Sequence, residues 1–383
     1  MNQGRSIFIL LLGSVLLTGC SLFGASDDDP QPAKLFKFEE KVELTRIWST
    51  KVGSANRDYW GSLRTGASAD SLFFSDHSGS VFSLDSQTGN KRWTVDLDAP
   101  ISGGVGYGSG LVLLGTIEGQ VYALNAEDGS LLWSTTVSSE VLSSPVANDQ
   151  IVAVHSIDNR LHVLDATTGE QLWHHDAGAP ILSIRGTGGA VILKNMLIAS
   201  FDSGKLIAFN PQNGALLWET RLALPKGRTE LERMIDIDSQ PLLVGDIVYS
   251  VSYQGRIGAL TRGTGRNLWF QDSSSFQSPA YSDGKLYVTE SGDTVRSFQA
   301  GNGQIIWSND QLTLRQLTGP VELGDSVAVA DAQGYVHVLD AENGSFIGRT
   351  KVDGSGISSP LVVIDNTLVV QANDGSVSAY KIQ

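Results

Sequence analysis

The side chains that could carry out chemistry are few in this 383-residue chain, and their spacing brings none of them together. The six histidines are scattered, and the adjacent pair His174 and His175 should point to opposite faces of a strand, which disfavours a shared metal ion. No nucleophile elbow, phosphate-binding loop or carboxylate pair of defined spacing is recognisable. Cys20 is the only cysteine, so an intrachain disulfide or a thiol-based zinc or redox site cannot form. We therefore predict no catalytic residues, no metal site and no cofactor.

The charge balance of the chain excludes further classes of partner. Lysine and arginine number 27, and aspartate and glutamate number 41, which gives a net charge of −14 at neutral pH. A body this acidic repels nucleic acid and anionic lipid surfaces, and no basic stripe interrupts it. We therefore predict that the protein binds no nucleic acid. Glycine is frequent (42 residues) and proline modest (11), which favours tight turns between short strands.

The N-terminus has the pattern of a secretory signal peptide. Arg5 supplies a positive charge, and residues 7–17 form an apolar run of eleven, too short for the roughly twenty residues that span a bilayer. The run ends in "LTGC", which resembles the lipobox of bacterial lipoproteins. This resemblance implies cleavage before Cys20, which then carries lipid on its sulfur and amine. The alternative is an uncleaved signal anchor with an incidental cysteine.

The residues after the cysteine indicate where the lipid would hold the protein. Ser21 stands where an aspartate would signal retention at the inner membrane, so the lipoprotein resemblance implies the outer membrane, with the protein facing the periplasm. The next stretch, "SLFGASDDDPQPAKLFKFEE", has an acidic triplet and two prolines, which is typical of a solvated, flexible linker. We predict a signal peptide over residues 1–19, a lipidated flexible tether over 20–41 and a single domain over 42–383.

The rest of the chain repeats one pattern at intervals of about forty residues. In "VYALNAEDGSLLW", at residues 121–133, side chains alternate at period two, an Asx residue follows, and a glycine closes the turn before a second strand. Another pair of strands lies upstream, as in "SPVANDQIVAVHS" at residues 144–156. The repeat therefore predicts units of four antiparallel strands.

Seven units are marked by turn glycines, and an eighth is divided between the two ends of the chain. The turn glycines are Gly89, Gly129, Gly169, Gly214, Gly265, Gly303 and Gly344. Residues 358–383 supply three strands of the eighth unit, and residues 42–52 supply the fourth. Because an open array of such sheets leaves unpaired edges, the ring should close. We predict an all-β fold, an eight-bladed β-propeller of four-stranded antiparallel blades, in which the N- and C-terminal strands share the last blade.

One tryptophan recurs at the same position of nearly every unit. The seven are Trp48, Trp93, Trp133, Trp173, Trp218, Trp269 and Trp307. This recurrence resembles the tryptophan-docking repeat of quinoprotein-like propellers, in which each indole packs between neighbouring blades. The resemblance implies a structural role, since one ligand would not need seven equivalent contacts. Unit seven carries Gly348 instead, so that junction should be weaker or filled by another group.

The quinoprotein resemblance also implies an alternative function, that of a dehydrogenase with a calcium-bound pyrroloquinoline quinone over the propeller axis. Those enzymes usually carry an adjacent-cysteine disulfide and a catalytic aspartate on long inserted segments. This chain has one cysteine and mostly minimal units, so we favour a non-catalytic platform. A third alternative is a polysaccharide-binding propeller, for which Tyr59 and Trp60 are the candidate aromatics.

Two consecutive long spacings point to a binding site. Successive tryptophans are 45, 40, 40, 45, 51 and 38 residues apart, and the two long internal spacings end at Trp218 and Trp269. The extra residues are expected in loops at 178–190 and 220–239, which should emerge side by side on one face. These loops combine apolar groups, an arginine and carboxylates, a mixture suited to a protein partner. The alternative is that Arg185 and the aspartates only pair with each other.

Taken together, the lipobox, the acidic tether, the eight quinoprotein-like blades, the "LSIRG" loop and the "IDID" loop resemble the BamB family, lipoprotein subunits of the outer-membrane β-barrel assembly (BAM) machinery. The resemblance implies a non-enzymatic protein that docks on the periplasmic POTRA domains of BamA. It also implies help in delivering unfolded outer-membrane protein precursors, for which strand addition to exposed blade edges is a hypothesis. The implied partner-binding residues are Leu182, Ile184, Arg185, Asp236 and Asp238.

Overall fold

Alternating side chains and glycine turns build eight four-stranded sheets, as the repeat predicts. The computed structural model of the chain describes residues 30–53, 63–178, 188–223, 229 and 235–383. Every regular element in those ranges is a β-strand. None of the described residues form a helix long and apolar enough to cross a bilayer. The predicted signal peptide, Cys20, Tyr59 and Trp60 lie outside the described residues.

Each blade is an antiparallel meander whose first strand contacts the first strands of neighbouring blades around the axis. Strand β1 (Leu44–Lys51) belongs to the last blade. Blade one is β2 (Gly66–Ala67), β3 (Ser71–Ser75), β4 (Ser80–Asp85) and β5 (Lys91–Asp96). Blade two is β6 (Ile101–Gly108), β7 (Leu111–Thr116), β8 (Gln120–Asn125) and β9 (Leu131–Thr136). Blade three is β10 (Val146–Ala147), β11 (Ile151–Ser156), β12 (Arg160–Asp165) and β13 (Gln171–Asp176).

The second half of the ring repeats the same order. Blade four is β14 (Ala190–Leu193), β15 (Met196–Phe201), β16 (Lys205–Phe209) and β17 (Leu216–Arg221). Blade five is β18 (Leu242–Val244), β19 (Ile247–Val251), β20 (Gly255–Thr261) and β21 (Asn267–Ser273). Blade six is β22 (Ala280–Ser282), β23 (Lys285–Thr289), β24 (Val295–Gln299) and β25 (Ile305–Asn309). Blade seven is β26 (Val321–Leu323), β27 (Ser326–Ala330), β28 (Tyr335–Asp340) and β29 (Phe346–Lys351).

Blade eight closes the ring with strands from both ends of the chain. It consists of β30 (Val362–Ile364), β31 (Thr367–Gln371), β32 (Ser376–Ile382) and β1, which pairs antiparallel with β32 from Leu44↔Ile382 to Lys51↔Ser376. Eight buried apolar clusters fill the ring, one between each pair of neighbouring blades. The predicted eight-bladed propeller with a shared last blade is therefore confirmed.

The hairpin turn of each unit follows from its Asx and Gly residues. In blade one, Asp85 Oδ1 accepts hydrogen bonds from the main-chain N–H groups of Gln87 and Thr88, at 3.1 and 2.9 Å. Gly89 follows at φ +70°, a left-handed conformation that glycine adopts without strain. Hydrogen bonds from Arg92 and then Thr88 lower the pKa of Asp85 to about 2.

The same glycines receive the tryptophans of the preceding blades. Each indole Nε1–H donates to the carbonyl three residues before the turn glycine, at 2.8–3.1 Å. A Cβ at any of the seven glycines would lie only 2.4–2.8 Å from the indole ring. The turn thus requires glycine for two reasons: its backbone conformation is left-handed, and the neighbouring indole leaves no space for a Cβ.

The junction between blades seven and eight is filled by the N-terminal segment in place of an indole. Blade eight has no hairpin turn at this position, because its third and fourth strands, β32 and β1, come from the two ends of the chain. Where the turn would be, Glu43 and Gln383 exchange main-chain hydrogen bonds of 3.1 and 3.0 Å. Val42 passes so close to Gly348 that a Cβ there would lie 2.8 Å from Val42 Cγ2. Ile347 O accepts the Val42 N–H at 3.1 Å. The tryptophan is therefore absent at the junction where the two ends of the chain meet.

The part of the predicted flexible tether that the structure describes, from Pro30 to Lys41, is packed against blade seven. The ring of Phe36 lies edge-on to that of Phe346, and the ring of Phe38 is tilted against it. The Arg349 guanidinium lies 4.8–5.5 Å from the centres of all three rings. Arg349 Nη1 also donates to Phe36 O at 2.9 Å. Aromatic and cationic side chains therefore connect the described part of the predicted tether to blade seven.

Candidate functional site

The two long connections predicted to form a binding surface join blade three to blade four and blade four to blade five. They lie between β13 and β14 and between β17 and β18. Leu182, Ile184 and Arg185 fall outside the described residues, whereas Asp236 and Asp238 lie within them. The position of the surface is therefore read from the ends of the two connections.

These ends lie side by side. Gln240 Nε2 donates to Ala190 O at 3.0 Å, and Ser200 Oγ donates to Ser239 O at 3.0 Å. A Cβ at Gly189 would come 2.6 Å from Gln240 Cα, so only glycine permits this approach. The two connections thus enter neighbouring blades at adjoining points, which is the arrangement that their consecutive spacing predicts.

Three carboxylates meet beneath the second connection. Asp202, in the turn between β15 and β16, Asp236 and Asp238 each bring an oxygen within 4.8 Å of the others. Asp236 is fully buried, and its main chain bridges to Tyr253, whose N–H donates to Asp236 O at 2.8 Å. The sequence predicts Asp236 as a partner-binding residue, and the structure places its carboxylate inside the propeller.

Asp238 occupies the rim of this cluster. It is half-buried, and burial, followed by the charge of Asp202, raises its pKa to about 7. Three carboxylate oxygens are fewer than the six to eight that Ca²⁺ takes, so the cluster by itself is no cation site.

A second copy of the first loop exists in the chain, and the sequence prediction missed it. "LTLR" at residues 312–315 matches "LSIR" at 182–185 in the connection that precedes blade seven. Here Arg315 is 3% exposed and pairs with the fully buried Asp331, which stands in its blade where Asp202 stands in blade four. Leu314 is 42% exposed at φ +60°. The match between the two four-residue stretches is the sequence signal that could have drawn attention to this connection.

Blade three contains another polar cluster that sequence reasoning did not anticipate. Ser138 Oγ lies 3.0 Å from His162 Nε2, and His162 Nδ1 lies 2.9 Å from Gln171 Oε1, the spacing of a nucleophile, a base and an orienting amide. Ser138 Oγ also donates to Asp158 Oδ2 at 2.6 Å, and burial lowers the pKa of His162. Because the serine is already bonded to a carboxylate, we assign this cluster a structural role in fastening the loop before blade three.

Comparison with known proteins identifies the family. The family model described as outer membrane protein assembly factor BamB matches residues 77–309 and 291–383. The chain belongs to the BamB family. An outer membrane protein assembly factor BamB from Pseudomonas aeruginosa is 47% identical over 383 residues, which cover 100% of both chains. The crystal structure of BamB from Moraxella catarrhalis matches at a TM-score of 0.82 and 27% identity, and the match covers 88% of this chain and 99% of that chain.

The propeller of the BamB family is also found in enzymes. A europium-containing methanol dehydrogenase matches at a TM-score of 0.69 and 15% identity, over 85% of this chain and 84% of that one. This likeness shows the fold alone. The BamB relatives are named for outer-membrane protein assembly, which implies a non-enzymatic assembly factor, and the dehydrogenase and polysaccharide-binding alternatives are not favoured.

Proposed function

We propose that this protein is a non-catalytic scaffold subunit of the BAM machinery, held at the outer membrane by lipid on Cys20 and facing the periplasm. Its partner is BamA, and the propeller docks on the periplasmic POTRA domains. The observation that carries the proposal is the meeting of two extended connections at Ala190 and Gln240, in a chain of the BamB family. We call residues 178–190 and 220–239 the docking surface.

The second copy of the loop supports separate roles for two residues of the docking surface. Arg315 is buried and paired, whereas Leu314 beside it is exposed. By this analogy we propose that Arg185 serves to hold the loop and that Ile184 serves to bind the partner. Apolar side chains at the centre of an interface contribute most of its affinity, and paired charges beside them set its geometry.

The two carboxylates of the second connection, Asp236 and Asp238, then support the docking surface. Asp236 is buried and bridged to Tyr253, so it positions the connection rather than touching the partner. Asp238 is half-buried with a raised pKa, and a cationic group brought by the partner or by the first loop would favour its ionised form. Leu182 completes the apolar part of the surface.

Co-purification of BamA with the lipoprotein from solubilised envelopes tests the docking proposal. Arg185→Ala is expected to reduce the recovered BamA by at least tenfold, since loss of a loop-holding arginine disorganises the contact. Arg266→Ala is the matched control, because Arg266 is exposed in the turn between β20 and β21, outside the docking surface, and it is expected to retain BamA. Undiminished recovery with Arg185→Ala would refute docking through this surface.

We further propose that unfolded precursors bind at the outer blade edges. The fourth strand of each blade is an edge strand, and several carry adjacent aliphatic residues of which 38–58% is exposed. These pairs are Leu131 and Leu132, Leu216 and Leu217, and Ile305 and Ile306. An unpaired edge with apolar side chains suits the addition of an extended segment as a fifth strand.

Hydrogen exchange tests this second step. A peptide copying one precursor strand is expected to slow exchange of main-chain amides in β9, β17 or β25, because strand addition engages N–H groups along an edge. The matched control is the same peptide with a central proline, which cannot donate to the ladder. Protection confined to loops would reject strand addition while leaving the docking proposal intact.

A further inference from the structure

The hub of the propeller holds one arginine that reaches across the axis. Arg64 precedes β2 in blade one, yet its Nη1 donates to Gln240 Oε1 at 3.2 Å and its Nη2 donates to Ser278 Oγ at 3.3 Å. These partners lead into blades five and six. Since blade one faces blade five in a ring of eight, the side chain spans the central channel.

Among the residues that the structure describes, no carboxylate forms an ion pair with Arg64. Within the described ranges its hydrogen-bond partners are neutral oxygens, and no acidic group lies at ion-pair distance from it. Burial lowers the pKa of Arg64, and no acidic neighbour offsets this. A guanidinium has five N–H donors, of which the two bonds use two. A half-buried guanidinium with unused donors is available to pair with an anion.

The space beside Arg64 is shaped for an organic ligand. A cavity of about 610 Å³ opens next to the guanidinium and is walled by the starts of the innermost strands of blades six, seven and eight. Polar and apolar groups line it in nearly equal parts, with Pro320, Leu361 and Tyr281 among the apolar ones and the Asn366 amide among the polar ones. Glu322 also faces the cavity, where its Oε1 accepts a hydrogen bond from Ser282 at 2.6 Å. Cavities of roughly 300–1,000 Å³ are typical of small-molecule sites.

We propose that this hub cavity binds a small organic carboxylate, whose anionic group pairs with Arg64 and whose apolar body lies against the prolines and aliphatic side chains. The planar guanidinium fork matches a carboxylate in two-point contact. The negative charge of the protein as a whole and Glu322 oppose any anion, so we expect a dissociation constant of about 0.1–10 mM rather than tight binding.

Calorimetric titration of the purified full-length protein tests the site, with benzoate as the probe and benzamide as its uncharged match. Benzoate is expected to bind one to one, and benzamide at least about tenfold more weakly, since a charge-assisted bond is lost. The Arg64→Gln variant should lose benzoate binding, whereas Arg221→Gln, at an exposed arginine of β17, should retain it. Equal binding of benzoate and benzamide, or full binding by Arg64→Gln, would overturn the proposal.

Two further arms keep the outcome decisive. If Arg64→Gln fails to fold, Arg64→Lys keeps the charge but not the fork, and it should bind benzoate more weakly than the native protein. If the native protein binds inorganic phosphate but not benzoate, the site is one for inorganic anions, and the proposal of an organic carboxylate is rejected. Absence of any heat with benzoate at about 10 mM would mean that Arg64 only cross-links the channel.

Discussion

Single tryptophans carry the contact between blades. Trp133 is 7% exposed, donates Nε1–H to Ala166 O at 2.9 Å and covers Gly169 in the next blade. We predict that Trp133→Ala lowers the free energy of unfolding by about 3–5 kcal/mol, because a large buried side chain is removed and a cavity remains. Leu132→Ala is the control, since Leu132 is 50% exposed, and it should change stability by less than about 0.5 kcal/mol. An unchanged melting temperature in Trp133→Ala would contradict the role of Trp133 in the contact between blades.

A buried histidine makes stability depend on pH. His155 is 3% exposed, and burial lowers its pKa to about 4, although Gly188 O lies 3.0 Å from its Nδ1 and opposes the shift. The unfolded chain binds a proton near pH 6.5, so this contribution to stability is present above that pH and is lost as the pH falls towards 4. The loss for His155 amounts to about 3 kcal/mol. His162 and His175 act in the same direction, because burial lowers their pKa as well.

We predict that His155→Gln flattens this dependence. Melting temperatures measured from pH 7.5 to pH 4.5 should fall less steeply in the variant than in the native protein, since glutamine does not titrate. Parallel curves for the two proteins would mean that His155 has the same pKa in the folded and the unfolded chain.

At the scale of elements, the strand that closes the ring and the segment before it act together. Val42 fills the gap at Gly348, and the residues before it are clamped by Arg349, which donates to Phe36 O and faces Phe38. If lipid is attached at Cys20, about ten residues separate it from the clamped segment, and these span at most about 35 Å. The membrane would then lie close to blade seven.

Release of the clamp should be measurable. Arg349→Ala is expected to lower the free energy of unfolding by about 1–3 kcal/mol, through loss of a charged hydrogen bond and of cation–π contacts. Trypsin should then cleave faster at Lys34 and Lys37, which lie in the clamped segment. Arg349→Lys is the control, and it should show an intermediate rate because lysine keeps the charge without the planar group. Equal cleavage of all three proteins would mean that the segment is held by other contacts.

The elements also show what sequence reasoning can reach. Period-two alternation and the Asx–Gly turns predicted the strands and their number, because each of these features acts within a few residues. A register shift between the third and fourth strands, such as that at Ala123/Leu124, recurs in blades one to seven and was not predicted. A single extra residue in a strand leaves no pattern of its own. Burial of Asp236 and docking of Phe36 depend on partners far away in sequence, so local patterns do not reveal them.

At the scale of the whole molecule, closure by the terminal strands gives a rigid ring from which two neighbouring connections extend. The ring leaves one rim available for a partner, its outer edges available for extended segments and its hub available for a small anion. The outer edges lie on the circumference, whereas the docking surface and the hub adjoin, because Gln240 bonds to both Ala190 O and Arg64. Each of the three proposals has an experiment of its own that can support or refute it.

The most direct test of the account is a binding titration of the POTRA domains of BamA with two matched variants. Ile184→Asp places a charge in the docking surface, whereas Leu314→Asp places the same charge at the corresponding position before blade seven, where Leu314 is 42% exposed. We predict that Ile184→Asp weakens binding at least about tenfold and that Leu314→Asp binds like the native protein. Equal affinity of both variants, whether both retained or both lost, would contradict a docking surface formed by these two connections.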